Sequence, residues 1–434
     1  MQQVFLIELN EINFDFVHDY GRRGRLPNLN RLIDAFGVSE TTSEKNYEEL
    51  EPWIQWVTAH TGLTLAEHGV FRLGDIVERD IPQIWERLEA KGLKVGAVSP
   101  MNARNRLRDA CFFIPDPWTR TPVTGGPILR RLYDAIAQAV NDNADAKLTL
   151  GSAFWLAVGL AVYARPANYG AYLKYVLAAR GKPWCRALLL DQLLADVFVR
   201  LSRKKQPHFA SLFLNAGAHI QHHYMFSSQA YQGSMRNPDW YINEGLDPLL
   251  EVYELYDRIV GQIEKATPDT RLMIATGLHQ TPHEDLTFYW RLRNHADFLN
   301  RIGAPFTSVA PRMSRDFLVS CASAGEALRC QTVLASVRAS ADGLELFEID
   351  NRGTELFVSL SYPHEISENF DYCIGNVVFK SLRQAVAFVA VKNGAHHGIG
   401  YFLDTGGKVP ARFPLSDLPD VIERAFCSAL ETAA

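Results

Sequence analysis

Short apolar runs alternate with amphipathic segments over the first hundred residues and again after residue 206. Apolar runs of this length predict strands, and apolar residues that recur every three or four positions predict helices. The predicted strands are 4–9, 93–98, 208–214 and 271–276, and the predicted helices are 28–36, 84–91 and 248–265. Apolar strands separated by helices are typical of a parallel sheet covered on both faces. We therefore predict an α/β fold with a central, mainly parallel sheet sandwiched by helices.

Two stretches interrupt this alternation and are predicted to be insertions. Residues 112–205 contain long helical segments without a convincing strand, which indicates a helical insertion or cap. Residues 306–390 mix strand and helix signals, and two apolar runs on either side of Gly353 predict a hairpin in a small α+β subdomain. The predicted core comprises the remaining segments, 1–111, 206–305 and 391–434.

A stretch of seventeen residues, 148–164, carries no charge. It is slightly shorter than the roughly 18 to 20 apolar residues that cross a bilayer, and Gly151, Ser152 and Gly159 reduce its hydrophobicity. We therefore predict a helix buried within the protein and expect no membrane contact. A helix that touches a membrane or binds lipid is the alternative.

Composition and charge limit the classes of ligand. The chain carries 49 acidic and 44 basic residues, and its net charge of −5 leaves no broad basic field for nucleic acid. The six cysteines are scattered without CxxC spacing, which indicates reduced thiols rather than a disulfide framework. A predicted strand, rather than a signal sequence, begins the chain, so we expect a cytoplasmic protein with a small-molecule substrate.

Histidines cluster in three regions, 215–224, 276–284 and 393–400, and the first two directly follow a predicted strand. The clusters contain His219, His222, His223, His279, His283, His396 and His397. Because the loops beyond the carboxyl ends of parallel strands share one crevice, we expect the three regions to meet there. Imidazole is a common metal ligand and titrates near neutrality, so a histidine-rich catalytic or metal site is predicted. The alternative is that these histidines only hydrogen-bond within the structure.

Several segments resemble motifs of one known family. Residues 52–69, PWIQWVTAHTGLTLAEHG, resemble the "P…W…TGL.P..HG" segment of the type I phosphodiesterase and nucleotide pyrophosphatase branch of the alkaline phosphatase superfamily. Residues 26–32 and 81–88, and the closing stretch from His396 to Gly406, resemble further motifs of that branch in the same order. The resemblance implies a central, mainly parallel sheet, a site with two zinc or two manganese ions, and a Thr or Ser nucleophile that cleaves phosphate or sulfate esters.

The residues at the family's key positions differ from its pattern. Asn10 and Asn215 stand where the family has metal-binding aspartates, and Pro52 stands at the position of the nucleophile. Its "DHG" motif corresponds to Gly277-Leu278-His279, where the histidine matches only after a shift of one residue. The histidines that carry over directly are His219 and His396.

These departures change the expected metal content. Two close divalent cations need carboxylates to offset their repulsion, so we expect at most one ion, zinc or manganese. Its predicted ligands are His219, His279 and His396, with His223 as a substitute for His279, since three imidazoles suffice for a catalytic zinc. A site without metal is the alternative.

Acid–base and substrate-binding roles are assigned to the remaining polar residues. Without a hydroxyl at position 52, Glu51 or Glu11 is expected to act as general base or nucleophile, with Glu8 as a further candidate and His223 as an acid–base partner. Glu51 as a solvated loop acid is the alternative. The predicted substrate-binding residues are Asn10, Asn102, Arg104, Asn215, Arg312 and Arg315. Arginines can clamp an anion through two hydrogen bonds, although such residues often only tie loops together.

The predicted function is that of a divergent enzyme of the alkaline phosphatase superfamily. It would hydrolyse or transfer a phosphoryl or sulfuryl group on a small substrate that is anionic or linked to a sugar. A metal-free enzyme that performs acid–base chemistry on a carbohydrate in the same crevice is one alternative. A non-catalytic descendant that binds a ligand is the other, because the family's nucleophile is lost.

Overall fold

A computed structural model describes residues 2–141, 148–312, 315–407 and 409–431. In chain order its strands are β1 (Val4–Leu9), β2 (Ser39–Thr42), β3 (Val95–Val98), β4 (Phe112–Ile114), β5 (Phe209–Leu214), β6 (Arg271–Ala275), β7 (His279–Leu292), β8 (Ser308–Pro311), β9 (Asp316–Ser320), β10 (Val337–Ala339), β11 (Phe347–Asn351), β12 (Glu355–Leu360), β13 (Tyr372–Ile374), β14 (Val377–Phe379), β15 (Val386–His397), β16 (Ile399–Asp404) and β17 (Arg412–Pro414). Its helices are α1 (Phe14–Arg22), α2 (Pro27–Phe36), α3 (Pro52–Thr61), α4 (Leu65–His68), α5 (Ile84–Ala90), α6 (Pro127–Asn141), α7 (Leu150–Tyr163), α8 (Tyr169–Ala178), α9 (Cys185–Lys205), α10 (Ala216–Tyr224), α11 (Pro248–Ala266), α12 (His295–Arg301), α13 (Ala324–Ala335), α14 (Leu382–Ala385) and α15 (Leu418–Glu431).

The central sheet has eight strands in the order β17-β2-β16-β6-β1-β5-β3-β4. Strand β1 lies parallel to both β5 and β6, and β3 lies parallel to β5 and β4. Strand β16 runs antiparallel to its neighbours β6 and β2. The predicted α/β class with a mainly parallel central sheet is therefore confirmed.

The middle of the sheet is apolar because it is covered on both faces. Every residue of β1 and of β5 is buried, so both strands read as continuous apolar runs rather than alternating ones. Glu8 is the polar exception in β1. It is buried, and its Oε1 lies 3.0 Å from Nε2 of His60 in α3. Polar residues begin directly after these strands, with Asn10 after β1 and Asn215 after β5.

Two predicted details differ from the structure. A short edge strand, β4, begins the stretch 112–205, in which the sequence predicts only helices. His279 and His283 lie in strand β7 and not in a loop beyond the preceding strand, where their cluster was expected. Strand β7 belongs to a two-stranded sheet with β15, and a proline is tolerated in such a strand where its missing N–H is not needed for pairing.

The chain divides into two compact units. The first comprises Met1–Gly233, Ile242–Pro282 and Gly394–Ala434, and contains the central sheet and the helical stretch 112–205. The second comprises Ser234–Tyr241 and His283–Asn393, and has its own apolar core around side chains such as Phe317. The predicted subdomain 306–390 falls within the second unit, and its hairpin is present as β11 and β12 with Gly353 at a φ of +91°.

The uncharged segment 148–164 forms a surface helix and not the buried helix that we expected. Within α7 the buried residues are Ser152, Gly159 and Tyr163, whereas Leu150 is 91% exposed and Phe154 is 59% exposed. Among the helices that the structure describes, none has the length and apolar character needed to cross a membrane.

Candidate metal centre

Three side chains of the first unit converge on one point at the carboxyl ends of β1 and β5. Glu11 Oε2 lies 3.1 Å from the Nε2 atoms of both His222 and His396, and those two nitrogens are 3.2 Å apart. Among the described residues, these three form a group whose ligand atoms lie close enough together to share a metal ion. Glu11 Oε2, His222 Nε2 and His396 Nε2 thus form a triangle of ligand atoms. Ligand atoms around a tetrahedral zinc with bonds of about 2.0–2.1 Å are about 3.3 Å apart, so this triangle has nearly the dimensions of one face of such a site.

Glu11 is held by the backbone of neighbouring strands. It follows β1 in a left-handed conformation with a φ of +59°, which is uncommon for a residue other than glycine. Its N–H donates to the carbonyl of Thr276, and its carbonyl accepts from the N–H of Gln280 and from the side chain of Gln221. These bonds hold the strained backbone in place, and strain of this kind concentrates at functional sites.

The Glu11 carboxylate is buried and ionised. Asn10 Nδ2 donates to Oε1 at 3.0 Å, and Gln280 Nε2 donates to Oε2 at 2.5 Å. Burial raises the pKa of this carboxyl, but His396 and His222 outweigh burial and hold the pKa well below its usual range. The site therefore contains one fixed negative charge that faces two imidazoles.

Helix α10 positions His222, and its first turn is anchored to α9. The Asp191 carboxylate accepts hydrogen bonds from the N–H of Ala216 at 2.8 Å and from the Tyr256 hydroxyl at 2.7 Å. The Tyr256 hydroxyl in turn accepts from the N–H of Gly217. A carboxylate at a helix N-terminus satisfies N–H groups that have no partner within the helix. Burial raises the pKa of Asp191 to about 6.

His396 lies near the end of β15 and is flanked on its outer side by Glu51. Its Nδ1 is 3.9 Å from Glu51 Oε2, while its Nε2 faces Glu11. A carboxylate beside Nδ1 favours the tautomer that carries a proton there and leaves a lone pair on Nε2. Glu51 precedes the first residue of α3, Pro52, which has no hydroxyl group.

Two amide side chains, those of Asn10 and Asn215, are hydrogen-bonded to each other beside Glu11. Asn10 Oδ1 accepts from the Trp56 indole at 2.7 Å, and its amino group donates to Glu11 and, at 2.8 Å, to Asn215 Oδ1. The Asn10 amino group thus supports Glu11, which a carboxylate at position 10 could not do. With one carboxylate in the triangle, the donor set suits a single divalent ion and not a pair.

The structure brings one of the three predicted metal ligands into the triangle, namely His396. The exposed His219 lies one helical turn from His223, with ring centroids 4.8 Å apart. His279 is buried, its Nδ1 lies 2.6 Å from the carbonyl of Ile399, and burial lowers its pKa to about 4. Metal ligation by His219 or His279 remains a prediction, as does an acid–base role for His223.

Two predicted substrate-binding residues connect loops of the first unit. Asn102 is buried, and its amide bonds to the carbonyls of Trp53 and Arg72 and to the N–H of Gly74. The Arg104 guanidinium donates to the carbonyl of Arg79. These contacts are those of loop-tying residues, and substrate binding by Asn102 or Arg104 remains a prediction.

The other two predicted arginines belong to the second unit. The Arg315 guanidinium lies 4.3 Å from the centre of the Tyr289 ring, and the Arg312 N–H donates to the carbonyl of Asp316. Their role as an anion clamp remains a prediction.

His222 is the site residue whose role the sequence did not indicate. It lies in the predicted cluster 215–224, but the spacing alone does not show which of its three histidines faces the sheet edge. Glu11 was predicted as an acid–base residue and is placed here among the ligand atoms.

Comparison with known proteins gives structural similarity at low sequence identity. No family model matches this chain, and no curated protein matches it. A phosphonoacetate hydrolase from Sinorhizobium meliloti 1021, solved with phosphonoacetate, is similar with a TM-score of 0.43 and 13% identity, over 100% of this chain and 96% of that one. Human ectonucleotide pyrophosphatase/phosphodiesterase 5 is similar with a TM-score of 0.44 and 10% identity, over 99% of this chain and 95% of that one.

Proposed function

We propose that this chain is a hydrolase or transferase that binds one divalent transition-metal ion and acts on a phosphoryl or sulfuryl ester of a small substrate. The observation that carries the proposal is the triangle of Glu11 Oε2, His222 Nε2 and His396 Nε2. Two histidines and one glutamate form a known ligand set for catalytic zinc, with a fourth position left for water or substrate. Zinc or manganese is the proposed ion.

Whether a cation fits the triangle depends on which of its three atoms carry a proton. The Glu11 carboxylate is an acceptor, and an Nε2 without a proton is also an acceptor. In the metal-bound protein a cation would replace the protons of both Nε2 atoms and accept a lone pair from each of the three ligand atoms. Such an ion supplies charge stabilisation to a transferring phosphoryl or sulfuryl group.

The chain's own residues would orient the ligands and move protons. Asn10 and Gln280 fix both oxygens of Glu11, so its carboxylate cannot rotate freely. Glu51 lies at the start of α3, is 35% exposed, and is near enough to His396 to hold its tautomer or to accept a proton from the substrate side. The exposed His219 and its neighbour His223 provide further imidazole groups along the same helix.

A metal-free acid–base enzyme is the second candidate, and one observation favours it. The distances of 3.1 Å between Glu11 and the two histidines are also those of ordinary charge-assisted hydrogen bonds. A protonated imidazole at either position would make the triangle a buried ion pair. Such a site could perform proton transfer on a carbohydrate without any metal.

Metal content separates the two candidates. Untagged protein and the variants H222A and H396A would be analysed by inductively coupled plasma mass spectrometry, before and after exhaustive chelation and readdition of zinc or manganese. We expect close to one ion per wild-type chain and a strongly reduced content in both variants. H219A is the matched control, because His219 lies on the same helix, one turn before His223.

Each outcome has a distinct meaning. Loss of the ion in H219A, with retention in H222A, would replace the triangle by the ligand set expected from the sequence. Absence of stoichiometric metal in wild-type protein would overturn the metal proposal and favour the acid–base candidate. Turnover of bis(p-nitrophenyl) phosphate, p-nitrophenyl phosphate and p-nitrophenyl sulfate would then be measured with and without metal. Turnover that is retained after metal removal would also overturn the metal proposal.

A further inference from the structure

The region from Leu148 to Leu190 has an unusual charge pattern. It contains no Asp or Glu, although the whole chain has a net charge of −5. Its basic residues are Arg165, Lys174, Arg180, Lys182 and Arg186. Lys182 is paired with Glu251 and Arg165 lies near Asp196, whereas Lys174 and Arg180 are exposed. Exposed bases in a region without acids indicate a surface that attracts an anionic partner.

Helix α7 in this region presents an apolar stripe to solvent. The exposed residues Leu150, Phe154, Ala157 and Ala161 are spaced by four, three and four positions, which places them on one face of the helix. Leu150 is 91% exposed and Phe154 is 59% exposed. Soluble proteins seldom expose large apolar side chains in a row, and such rows mark interaction surfaces.

Helix α8 repeats this arrangement with basic residues beside the apolar ones. Tyr169, Leu173, Val176 and Leu177 are 53%, 61%, 58% and 72% exposed. Lys174 lies between them and Arg180 follows the helix, and both are exposed. Helix α7 packs against α6 and α9, helix α8 packs against α9, and the residues named above remain exposed to solvent.

We propose that α7 and α8 together form a docking surface for a membrane that contains anionic lipids. Exposed Leu, Phe and Tyr side chains would enter the boundary between headgroups and acyl chains, while Lys174 and Arg180 would bind lipid phosphates. The helices lie on the membrane and do not cross it, which agrees with their length and with the exposed bases. The proposal concerns a surface outside the metal centre and does not depend on the proposed function.

Vesicle sedimentation with the full chain tests this docking surface. The probes are vesicles of phosphatidylcholine alone and of phosphatidylcholine with an equal amount of phosphatidylserine. We expect wild-type protein to sediment with the mixed vesicles and to stay in solution with phosphatidylcholine alone. Binding should weaken as salt is raised, because exposed charges are screened.

Two double variants separate the apolar and the charged contributions. L150S/F154S removes two large apolar side chains from the exposed face of α7. K174E/R180E reverses two charges in and beside α8 without changing the apolar residues. We expect each to bind the mixed vesicles about tenfold more weakly or worse, since buried apolar side chains and phosphate contacts each contribute to binding. F36S/F71S is the matched control, because Phe36 and Phe71 are exposed elsewhere in the first unit.

The outcomes that overturn the proposal are equally specific. Wild-type protein that stays in solution with both vesicles would overturn it, and so would equal binding to both. A control that loses as much binding as L150S/F154S would show that the effect is not local. A dimer in solution that L150S/F154S makes monomeric, without vesicle binding, would assign this surface to a second copy of the chain. Circular dichroism would show whether each variant is folded. If L150S/F154S is unfolded, K174E/R180E alone tests the proposal.

Discussion

The Nε2 atoms of His222 and His396 lie 3.2 Å apart, although 174 positions separate the two residues in the chain. Each of them also lies 3.1 Å from the same oxygen of Glu11. Helix α10 provides the first nitrogen, the end of β15 the second, and the turn after β1 the oxygen. Three elements that are distant in sequence thus deliver one ligand atom each to a common point.

Replacing Glu11 by glutamine is expected to weaken metal binding by roughly a hundredfold or more. The amide keeps the shape of the side chain but removes the negative charge that opposes the charge of the cation. Competition with a chromogenic chelator would measure the affinity for zinc and manganese. E48Q, a charge removal at an exposed loop residue, is the control, and equal affinity of E11Q and wild type would exclude Glu11 as a ligand.

Asn10→Asp tests why an amide occupies this position. Without metal the variant loses two donated hydrogen bonds and places a second carboxylate beside Glu11. We expect a fall of about 1–3 kcal/mol in the free energy of unfolding of metal-free protein. A saturating divalent metal should recover part of this loss, since the cation offsets the added charge. Urea unfolding with and without chelator would measure both effects, and an unchanged stability in chelator would contradict the account.

The buried Asp191 should give stability a measurable pH dependence. Its folded-state pKa of about 6 lies above the ordinary value near 4, so the folded protein binds a proton more readily than the unfolded chain. Stability from this residue is therefore present at low pH and is lost as pH rises from about 4 to about 6.

The comparison with D191N isolates this contribution from that of other carboxylates. The stability of wild type relative to D191N should fall by about 1–3 kcal/mol over that pH interval. Urea titrations of both proteins at several pH values would measure the difference. A difference that does not change with pH would show that Asp191 has an ordinary pKa.

Glu51 is expected to act through His396. In E51A the imidazole loses the carboxylate near Nδ1, and we expect metal affinity to fall by about tenfold, as for other groups that orient a metal-bound histidine. E51Q keeps a polar oxygen near Nδ1 and should recover part of this affinity. If E51A binds metal normally but loses turnover, Glu51 would instead act on the substrate.

The sequence predicted an element correctly where burial in the structure determines the order of apolar and polar residues. Strand β1 and helix α11 lie within one residue of their predicted ends, because a continuous apolar run and a capped amphipathic run each allow one element. Glu11 was named as a candidate from its position after the first predicted strand, and His396 from its histidine cluster and from the family resemblance, and their roles remain predictions. The sequence did not predict which histidine of α10 is directed towards Glu11. The orientation of this helix depends on hydrogen bonds of Asp191 and Tyr256, which are far away in sequence. The exposure of α7 was missed for a related reason, because an apolar composition does not reveal what covers it.

Asp191 is also the first carboxylate after the acid-free region 148–190. It lies on α9, and this helix packs against α7 and α8 as well as against α10. One straight element of 21 residues is thus shared by the surface helices and by the helix that carries His222. Any event that displaces α9 at the surface would move the cap of α10 with it. The hydrogen bonds at the start of the helix that carries His222 therefore depend on a helix that also supports the exposed apolar faces of α7 and α8.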